Sequence, residues 1–407
     1  MRRALLALVP LIAVLFVSAR EPSKSATAPA ISPAARDRGV YRLATDAEAR
    51  WIPFDLTPGN QIRFTMQLDG RDVTAILDTG VSYSLLAKAS PALDTAKLMA
   101  GGSATAIGGS VALGWMPTRT IALGGLARIG GGVTVADLPA IATGSMSAVD
   151  LLVGADMLAG HALDIDYTAK RFRLLRSGRL PFKGETAPLR VSTERSVYES
   201  TITLGGRRLA PIVVDTGDGS SVTVTAAGWQ AANLKALRTT SAISFGLAGP
   251  AVSGLAIVPE ISVGEMVARE AEVRIEPAGG FSQAIGTAGR IGSGFLQNYR
   301  VLLDPGARRM VFSRGPKADL PPPRSTSGLL IGIEKDRLKV LHVMRGGPAA
   351  AAGWKDGDLI CSIDGVPIAA DYATSPIAAW SAGAPGRIVT LGLCDGTVRR
   401  LELTHFY

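Results

Sequence analysis

Short apolar runs that end at glycine or proline recur along the chain, and in several of them apolar and polar residues alternate. Residues 63–70 alternate in this way and end in Asp-Gly, which predicts a half-buried strand followed by a hairpin turn. The next run, from Ala75 to Leu77, is apolar throughout, as is typical of a strand buried on both faces. The chain also has 47 glycines and only 5% aromatic residues, which favours many short strands. The pattern therefore predicts a mainly β protein.

The buried strand and the turn that follows it occur twice. The first copy ends in Asp78-Thr79-Gly80, and the second, which follows the apolar run 212–214, ends in Asp215-Thr216-Gly217. Two further landmarks repeat in the same order: Gly154 with Gly292, and Asp166 with Asp304. The equivalent positions lie 137, 138 and 138 residues apart, and this nearly constant offset indicates an internal repeat the size of a domain.

The composition divides the 407 residues into several segments. Arg2 and Arg3, the apolar run to Val17 and the small residues around Ala19 are typical of a secretory signal peptide that is too short to span a bilayer. We expect a signal peptide at 1–19, a flexible leader at 20–45, repeats at 46–180 and 181–315, a Pro-rich linker at 316–326 and a third unit at 327–407. The mature protein would then be periplasmic or secreted, without a membrane span.

Charge and metal-ligating residues exclude two classes of function. The formal net charge is +9, but the basic residues are scattered and lack interleaved aromatic residues, which favours solvated strand ends over a nucleic-acid surface. His161, His342 and His405 have no metal-ligand spacing with each other or with Cys361 and Cys394, so we expect no metal and no cofactor. An exported protein permits a disulfide between the two cysteines, but we expect two semi-buried free thiols.

The repeated aspartates suggest acid–base chemistry. If the two turns faced each other across a pseudo-two-fold axis, the carboxyls of Asp78 and Asp215 would be too close for both to ionise and would share one proton. One group could then take a proton from water while the other donates one to a carbonyl, which is general acid–base hydrolysis. A single Asp-Thr-Gly needs no such role, because Asp and Gly are common turn residues.

The segment 78–82 with Leu152-Val153-Gly154 resembles the signature of retropepsin-like aspartyl proteases, and 215–217 with Ile291-Gly292 resembles it again. The resemblance implies two closed-barrel β lobes in a pseudo-two-fold arrangement, each supplying one catalytic aspartate. It implies a supporting role for four residues of the turns: Thr79, Gly80, Thr216 and Gly217. The two threonines would hydrogen-bond to the opposite lobe. Gly-rich stretches at 100–109 and 246–254 would form flaps that cover the substrate.

Three positions depart from this resemblance. Val81 and Asp218 stand where the family usually has Ala or Ser, and Arg290 stands where an apolar residue is expected. An acidic side chain at 218 that faced the aspartates would raise their apparent pKa values. These departures leave open a catalytically degenerate protein that binds or scaffolds peptides. A second alternative is an enzyme whose repeats pair between two chains.

The segment from Ser327 onward has a different pattern. A Gly-rich turn, a strand at 338–343, a short helix between Pro348 and Gly353 and a later turn-flanked strand resemble a small α+β PDZ domain. The resemblance implies capture of an extended C-terminal peptide as an added strand, with Gly328, Leu329 and Leu330 in the loop that receives its carboxylate. The alternative is that this groove only packs on the rest of the chain. We expect His342 to be an ordinary strand residue.

Together these features predict an exported aspartic endopeptidase. A water activated between Asp78 and Asp215 would hydrolyse peptide bonds of a protein or peptide substrate, and the third unit would help to capture that substrate.

Overall fold

The computed structural model describes residues 39–143 and 148–407. In this part of the chain 47% of the residues form strands and 12% form helices, so the prediction of a mainly β protein is confirmed. None of its four sheets is a clear barrel, so the closed-barrel form that we expected is not seen. The predicted signal peptide at 1–19 lies outside the described residues. No helix within them is long and apolar enough to cross a membrane.

The first half of the chain builds the largest sheet. Its eleven described strands are β1 (Val40–Leu43), β3 (Asp55–Leu56), β4 (Ile62–Leu68), β5 (Arg71–Leu77), β6 (Leu85–Ala87), β7 (Met99–Ala106), β8 (Gly109–Pro117), β9 (Thr120–Leu123), β10 (Leu126–Ile129), β11 (Gly132–Ala136) and β12 (Leu151–Val153). Strand β5 lies between β4 and β12 and pairs in parallel with β12. Ala75, Ile76 and Leu77 are fully buried there, as their apolar run predicts.

The second half repeats this arrangement. Its sheet contains β16 (Arg190–Val191), β17 (Tyr198–Leu204), β18 (Arg207–Asp215), β19 (Val222–Thr225), β20 (Thr240–Gly246), β21 (Gly249–Val263), β22 (Met266–Glu276) and β23 (Gly289–Gly292). Strand β18 pairs in parallel with β23, as β5 pairs with β12. The described helices of the two halves are α1 (Ala155–Leu158), α2 (Ala226–Ala231), α3 (Phe281–Ala284) and α4 (Ser293–Leu296). The repeat therefore extends from the sequence to the strand pairing.

A six-stranded sheet joins the two halves within one chain. It contains β2 (Ile52–Pro53), β13 (Ala162–Asp166), β14 (Arg171–Leu175), β15 (Glu185–Pro188), β24 (Tyr299–Asp304) and β25 (Arg309–Arg314). Antiparallel strands β13 and β24 meet at its centre, where Leu163 pairs with Leu303 and Ile165 pairs with Val301. In the repeat, Leu163 is equivalent to Val301 and Ile165 is equivalent to Leu303. Exchanging the two halves therefore leaves these pairs unchanged, and the pairing is symmetric about Asp164 and Leu302. A pseudo-two-fold axis therefore relates the halves.

A buried carboxylate fixes this joining sheet. Asp164 is fully buried and accepts hydrogen bonds from Arg173 at 2.9 Å and from Arg300 at 2.8 and 3.0 Å. The Arg173 guanidinium also stacks 4.2 Å from the centroid of the Trp51 ring. Since Arg173 belongs to the first half and Arg300 to the second, one buried charge holds both halves in register. Removing it would leave two arginines without their shared partner.

The C-terminal unit has its own sheet and its own apolar core. Its described strands are β26 (Leu329–Ile333), β27 (Leu338–Val343), β28 (Leu359–Ile363), β29 (Val366–Pro367), β30 (Ile388–Leu393) and β31 (Val398–Glu402), with helix α5 (Pro348–Ala351). The expectation of free thiols is wrong, because Cys361 and Cys394 form a disulfide with an S–S distance of 1.97 Å. The pairing of Ile360 with Leu393 between β28 and β30 brings the cysteines together. Their separation of 33 residues gave no sign of this.

Two expected boundaries also differ from the structure. The leader expected at 20–45 includes β1, which pairs with β10 as an ordered edge of the first sheet. The linker expected at 316–326 ends in Thr326, whose amide donates to Ser381 and whose carbonyl accepts from Thr404. Thr326 therefore belongs to the C-terminal unit. In both cases tertiary pairing orders one end of a segment whose composition is typical of a spacer.

Candidate active site

The structure brings together the two predicted aspartates. Asp78 directly follows β5 and Asp215 ends β18, so the pseudo-two-fold axis places the two turns opposite each other. Each residue is only 8% exposed, and each carboxyl lies against the glycine of the opposite turn. A Cβ atom at Gly80 would lie 2.3 Å from Asp215 Cγ, and one at Gly217 would lie 2.2 Å from Asp78 Cγ. Only glycine permits this approach.

The threonines of the two turns bond across the axis. The Thr79 hydroxyl donates to the Val214 carbonyl at 2.6 Å, and the Thr216 hydroxyl donates to the Leu77 carbonyl at 2.8 Å. Each hydroxyl also accepts from the amide of the opposite threonine, at 3.0 and 3.1 Å. Both side chains are fully buried. The four bonds hold the strand ends at a fixed separation, and therefore they fix the distance between the carboxyls.

Further loops brace each turn from the opposite half. Gln61 Nε2 donates to the Gly217 carbonyl at 2.6 Å, and Asn60 Nδ2 donates to the Gly219 carbonyl at 3.0 Å. On the other side of the site, the hydroxyl of Ser82, which follows the first turn, donates to the Arg195 carbonyl of the second half at 2.5 Å. Sequence reasoning missed these residues, because polar residues at turns carry no sign of a partner more than 100 residues away.

Burial and a neighbouring negative charge raise the pKa values of both carboxyls. Desolvation raises the pKa of Asp78 well above its ordinary value, and the charge of Asp215 raises it further. Desolvation also raises the pKa of Asp215; the charge of Asp218 adds to this rise and that of Arg290 opposes it. The pair therefore retains a proton at pH values where an ordinary aspartate is ionised.

Two residues that depart from the family resemblance, Asp218 and Arg290, form an ion pair with each other. The Asp218 carboxylate pairs with Arg290 Nε at 2.9 Å, and Arg290 Nη1 bonds to Glu276 at 2.6 Å. The Asp218 amide donates to Asp215 Oδ1 at 3.0 Å. Sequence reasoning singled out Asp218 and Arg290 separately and missed Glu276. The sequence did contain a sign of the Asp218–Arg290 pair, because these two departures from the family resemblance carry opposite charges.

Two hairpins correspond to the predicted flaps. The first hairpin, β7 with β8, and the second hairpin, β20 with β21, meet at their tips, where the Ala248 amide donates to the Ile107 carbonyl at 3.2 Å. Leu247 at the second tip packs against the apolar cluster of the first half that includes Val81 and Leu152. Val81, which directly follows the first Asp-Thr-Gly turn, packs against the same cluster.

The three residues predicted to bind a peptide have internal partners. The Gly328 amide donates to Ser325 Oγ at 3.0 Å, and the Leu329 amide donates to Ser327 Oγ at 3.1 Å. Leu330 packs in a small apolar cluster with residues of the second hairpin. Two amides of the expected carboxylate loop are therefore already satisfied. Strand β26 nevertheless lies at the edge of its sheet, where another strand could add.

His342 joins the C-terminal unit to the second hairpin, although we expected an ordinary strand residue. Its Nε2 lies 2.7 Å from Ser241 Oγ, which also accepts from the Arg345 amide at 3.0 Å. Both side chains are largely buried. The Asp356 carboxylate lies 3.8 Å from His342 Nδ1, which is beyond hydrogen-bonding distance. We interpret the contact as an interface and not as an activated serine.

Metal-ligating residues do not cluster in the described part of the chain. Over residues 39–143 and 148–407, no group of three or more His, Cys, Asp or Glu could hold a metal ion. No protein-family model matches the chain, and no curated protein is significantly similar to it.

Proposed function

We propose that this protein is an aspartic endopeptidase of the retropepsin-like type, with Asp78 and Asp215 as its catalytic pair. The observation that carries the proposal is that two buried carboxyls each lie against the glycine of the opposite turn, where the charge of Asp215 raises the pKa of Asp78. The crossed bonds of Thr79 and Thr216 support it, because they hold the pair rigidly without themselves contacting the carboxyls. A rigid pair that shares one proton is suited to general acid–base catalysis.

The reaction needs one water and one shared proton. The ionised carboxylate takes a proton from the water, whose oxygen then adds to the peptide carbonyl carbon. The protonated carboxyl donates its proton to the carbonyl oxygen, so a neutral tetrahedral diol forms. When the C–N bond breaks, one hydroxyl of the diol returns its proton to a carboxylate and the amide nitrogen receives a proton. The pair ends in its starting protonation state.

The surroundings of the pair favour an extended polypeptide as the substrate. The aspartates lie where the two halves meet, and the two hairpins touch each other at their tips, one of which packs on the apolar cluster beside the first turn. A chain that enters between separated hairpins could add backbone hydrogen bonds to their strands. The proposal includes export, which the disulfide supports, because such bonds persist in oxidising compartments.

The C-terminal unit enters the proposal as a PDZ-like peptide-capturing unit. Edge strand β26 supports this role, because an extended peptide can add to an open edge. The capture site would use Gly328, Leu329 and Leu330. A peptide carboxylate would have to displace the serine hydroxyls that now accept from the first two amides.

Cleavage of a peptide library tests the proposal. The wild-type protein should cut library peptides, as seen by mass spectrometry, and a statine-type inhibitor should block the cleavage. Asp78→Asn should abolish it. Asp72→Asn is the matched control, because Asp72 lies on the same strand but is exposed, and it should cleave like the wild type. A wild-type protein that retains peptides without cutting them would instead support the binding alternative.

A further inference from the structure

The two halves differ in charge beside the catalytic pair. Strand pairing makes Val81 equivalent to Asp218 and Leu152 equivalent to Arg290. In the first half Val81 and Leu152 belong to an apolar cluster with Ile76 and Val149. In the second half the same places hold a buried ion pair. The site is thus nearly symmetric in backbone but not in electrostatics.

The ion pair belongs to a closed network. Arg290 is 4% exposed and bonds to Asp218 at 2.9 Å, to Glu276 at 2.6 Å and to Ser282 Oγ at 2.9 Å. The Glu276 carboxylate also accepts from the Ser282 amide at 2.8 Å. Burial strengthens these charge interactions, since little water screens them. The Asp218 side chain is therefore held in a single orientation.

The two aspartates also differ in their hydrogen bonds from backbone amides. Asp215 Oδ1 accepts from two backbone amides, those of Gly217 and Asp218, both at 3.0 Å. Asp78 Oδ1 accepts at 3.0 Å from the Gly80 amide. The Val81 and Asp218 amides both approach the backbone carbonyl of the aspartate in their own turn, at 3.4 and 3.3 Å, but the Asp218 amide also donates to a carboxyl oxygen. Because amide donors favour the charged form of a carboxyl, the extra bond favours ionisation of Asp215 over Asp78.

We propose that the turn after Asp215, in which the Asp218 amide binds Asp215 Oδ1 and Arg290 offsets the Asp218 charge, places the shared proton on Asp78 and leaves Asp215 as the carboxylate. Arg290 is the positioning residue, because it orients Asp218 and offsets its negative charge beside Asp215. The charged groups that act on the pair are the two aspartates themselves, Asp218 and Arg290, with Glu276 acting through Arg290. The consequence for catalysis rests on the proposed function: Asp215 would accept the proton of water, and Asp78 would donate to the carbonyl oxygen.

Opposite shifts in titration distinguish this role from a merely structural one. Asp218→Asn removes a negative charge and keeps Arg290 paired with Glu276, so both aspartates should titrate at lower pH, by about one unit. Arg290→Gln combined with Glu276→Gln leaves the charge of Asp218 uncompensated, so the pair should titrate at higher pH. Asp137→Asn, which removes an exposed carboxylate from the first half, should change neither value.

The titrations are measured by ¹³C NMR of labelled aspartate carboxyls in the full chain, assigned with Asp78→Asn and Asp215→Asn. Asp215 should lose its proton at lower pH than Asp78. The proposal would be overturned if Asp78 ionised before Asp215. It would also be overturned if Asp218→Asn and the Arg290→Gln/Glu276→Gln variant shifted the titration pH in the same direction. This readout needs no substrate. An uncut peptide library would therefore count against the proposed function alone, and misordered titrations would count against the proton assignment alone.

Discussion

Gly80 and Gly217 are required by proximity, since an added Cβ would overlap the opposite carboxyl. Gly217→Ala should therefore push the catalytic carboxyls apart, abolish activity and lower the free energy of unfolding by about 1–3 kcal/mol, as overpacking does. Gly160→Ala is the matched control, because no atom lies within 4 Å of its added Cβ. Chemical denaturation and peptide cleavage measure both effects. An active Gly217→Ala protein would contradict the described approach of the turns.

The raised pKa values of the pair also affect stability. Between pH 3.8, the ordinary aspartate pKa, and about 6, to which the pKa of Asp215 is raised, the folded pair holds protons that the unfolded chain releases. The free energy of unfolding should therefore fall as pH rises through this range. In Asp78→Asn the fall should be smaller, because one coupled carboxyl is gone. Urea titrations at several pH values measure it, and equal slopes would contradict the account.

At the scale of elements, the second hairpin is held at its base by the C-terminal unit. Ser241→Ala would leave two buried partners, His342 and the Arg345 amide, without their hydrogen bond, at a cost of about 1–3 kcal/mol. Hydrogen exchange should accelerate in β20 and β21, which carry this contact. The first hairpin is the internal control and should be less affected. Equal exchange in the wild type and the variant would mean that the interface does not restrain the second hairpin.

The same elements indicate what a sequence can predict. The apolar run before Asp78 and its copy before Asp215 predicted two buried strand ends, because local hydrophobic pattern and turn residues suffice for that. The disulfide, the Ser241–His342 contact and the role of Glu276 were not predicted. Each depends on which strands become neighbours in a sheet. Residue types alone do not determine that pairing.

At the scale of the whole molecule, the proposed catalytic pair, the crossed threonines and the joining sheet all lie between residues 39 and 315. One apolar core extends through both halves, and the C-terminal unit has another. A chain that ends at Lys317 should therefore fold and still cleave short peptides. It should cut folded proteins less efficiently, because it lacks the proposed capture unit. Loss of short-peptide cleavage in this chain would show that the docked unit completes the site.

The central claim is that Asp78 and Asp215 act as one catalytic unit. The most direct test is the kcat/KM of Asp78→Asn, Asp215→Asn and the double variant on one library-derived peptide. Residues that act as a unit are strongly non-additive, so each single variant should lose about as much activity as the double variant. Substantial activity in either single variant, or losses that multiply in the double variant, would contradict the shared-proton pair.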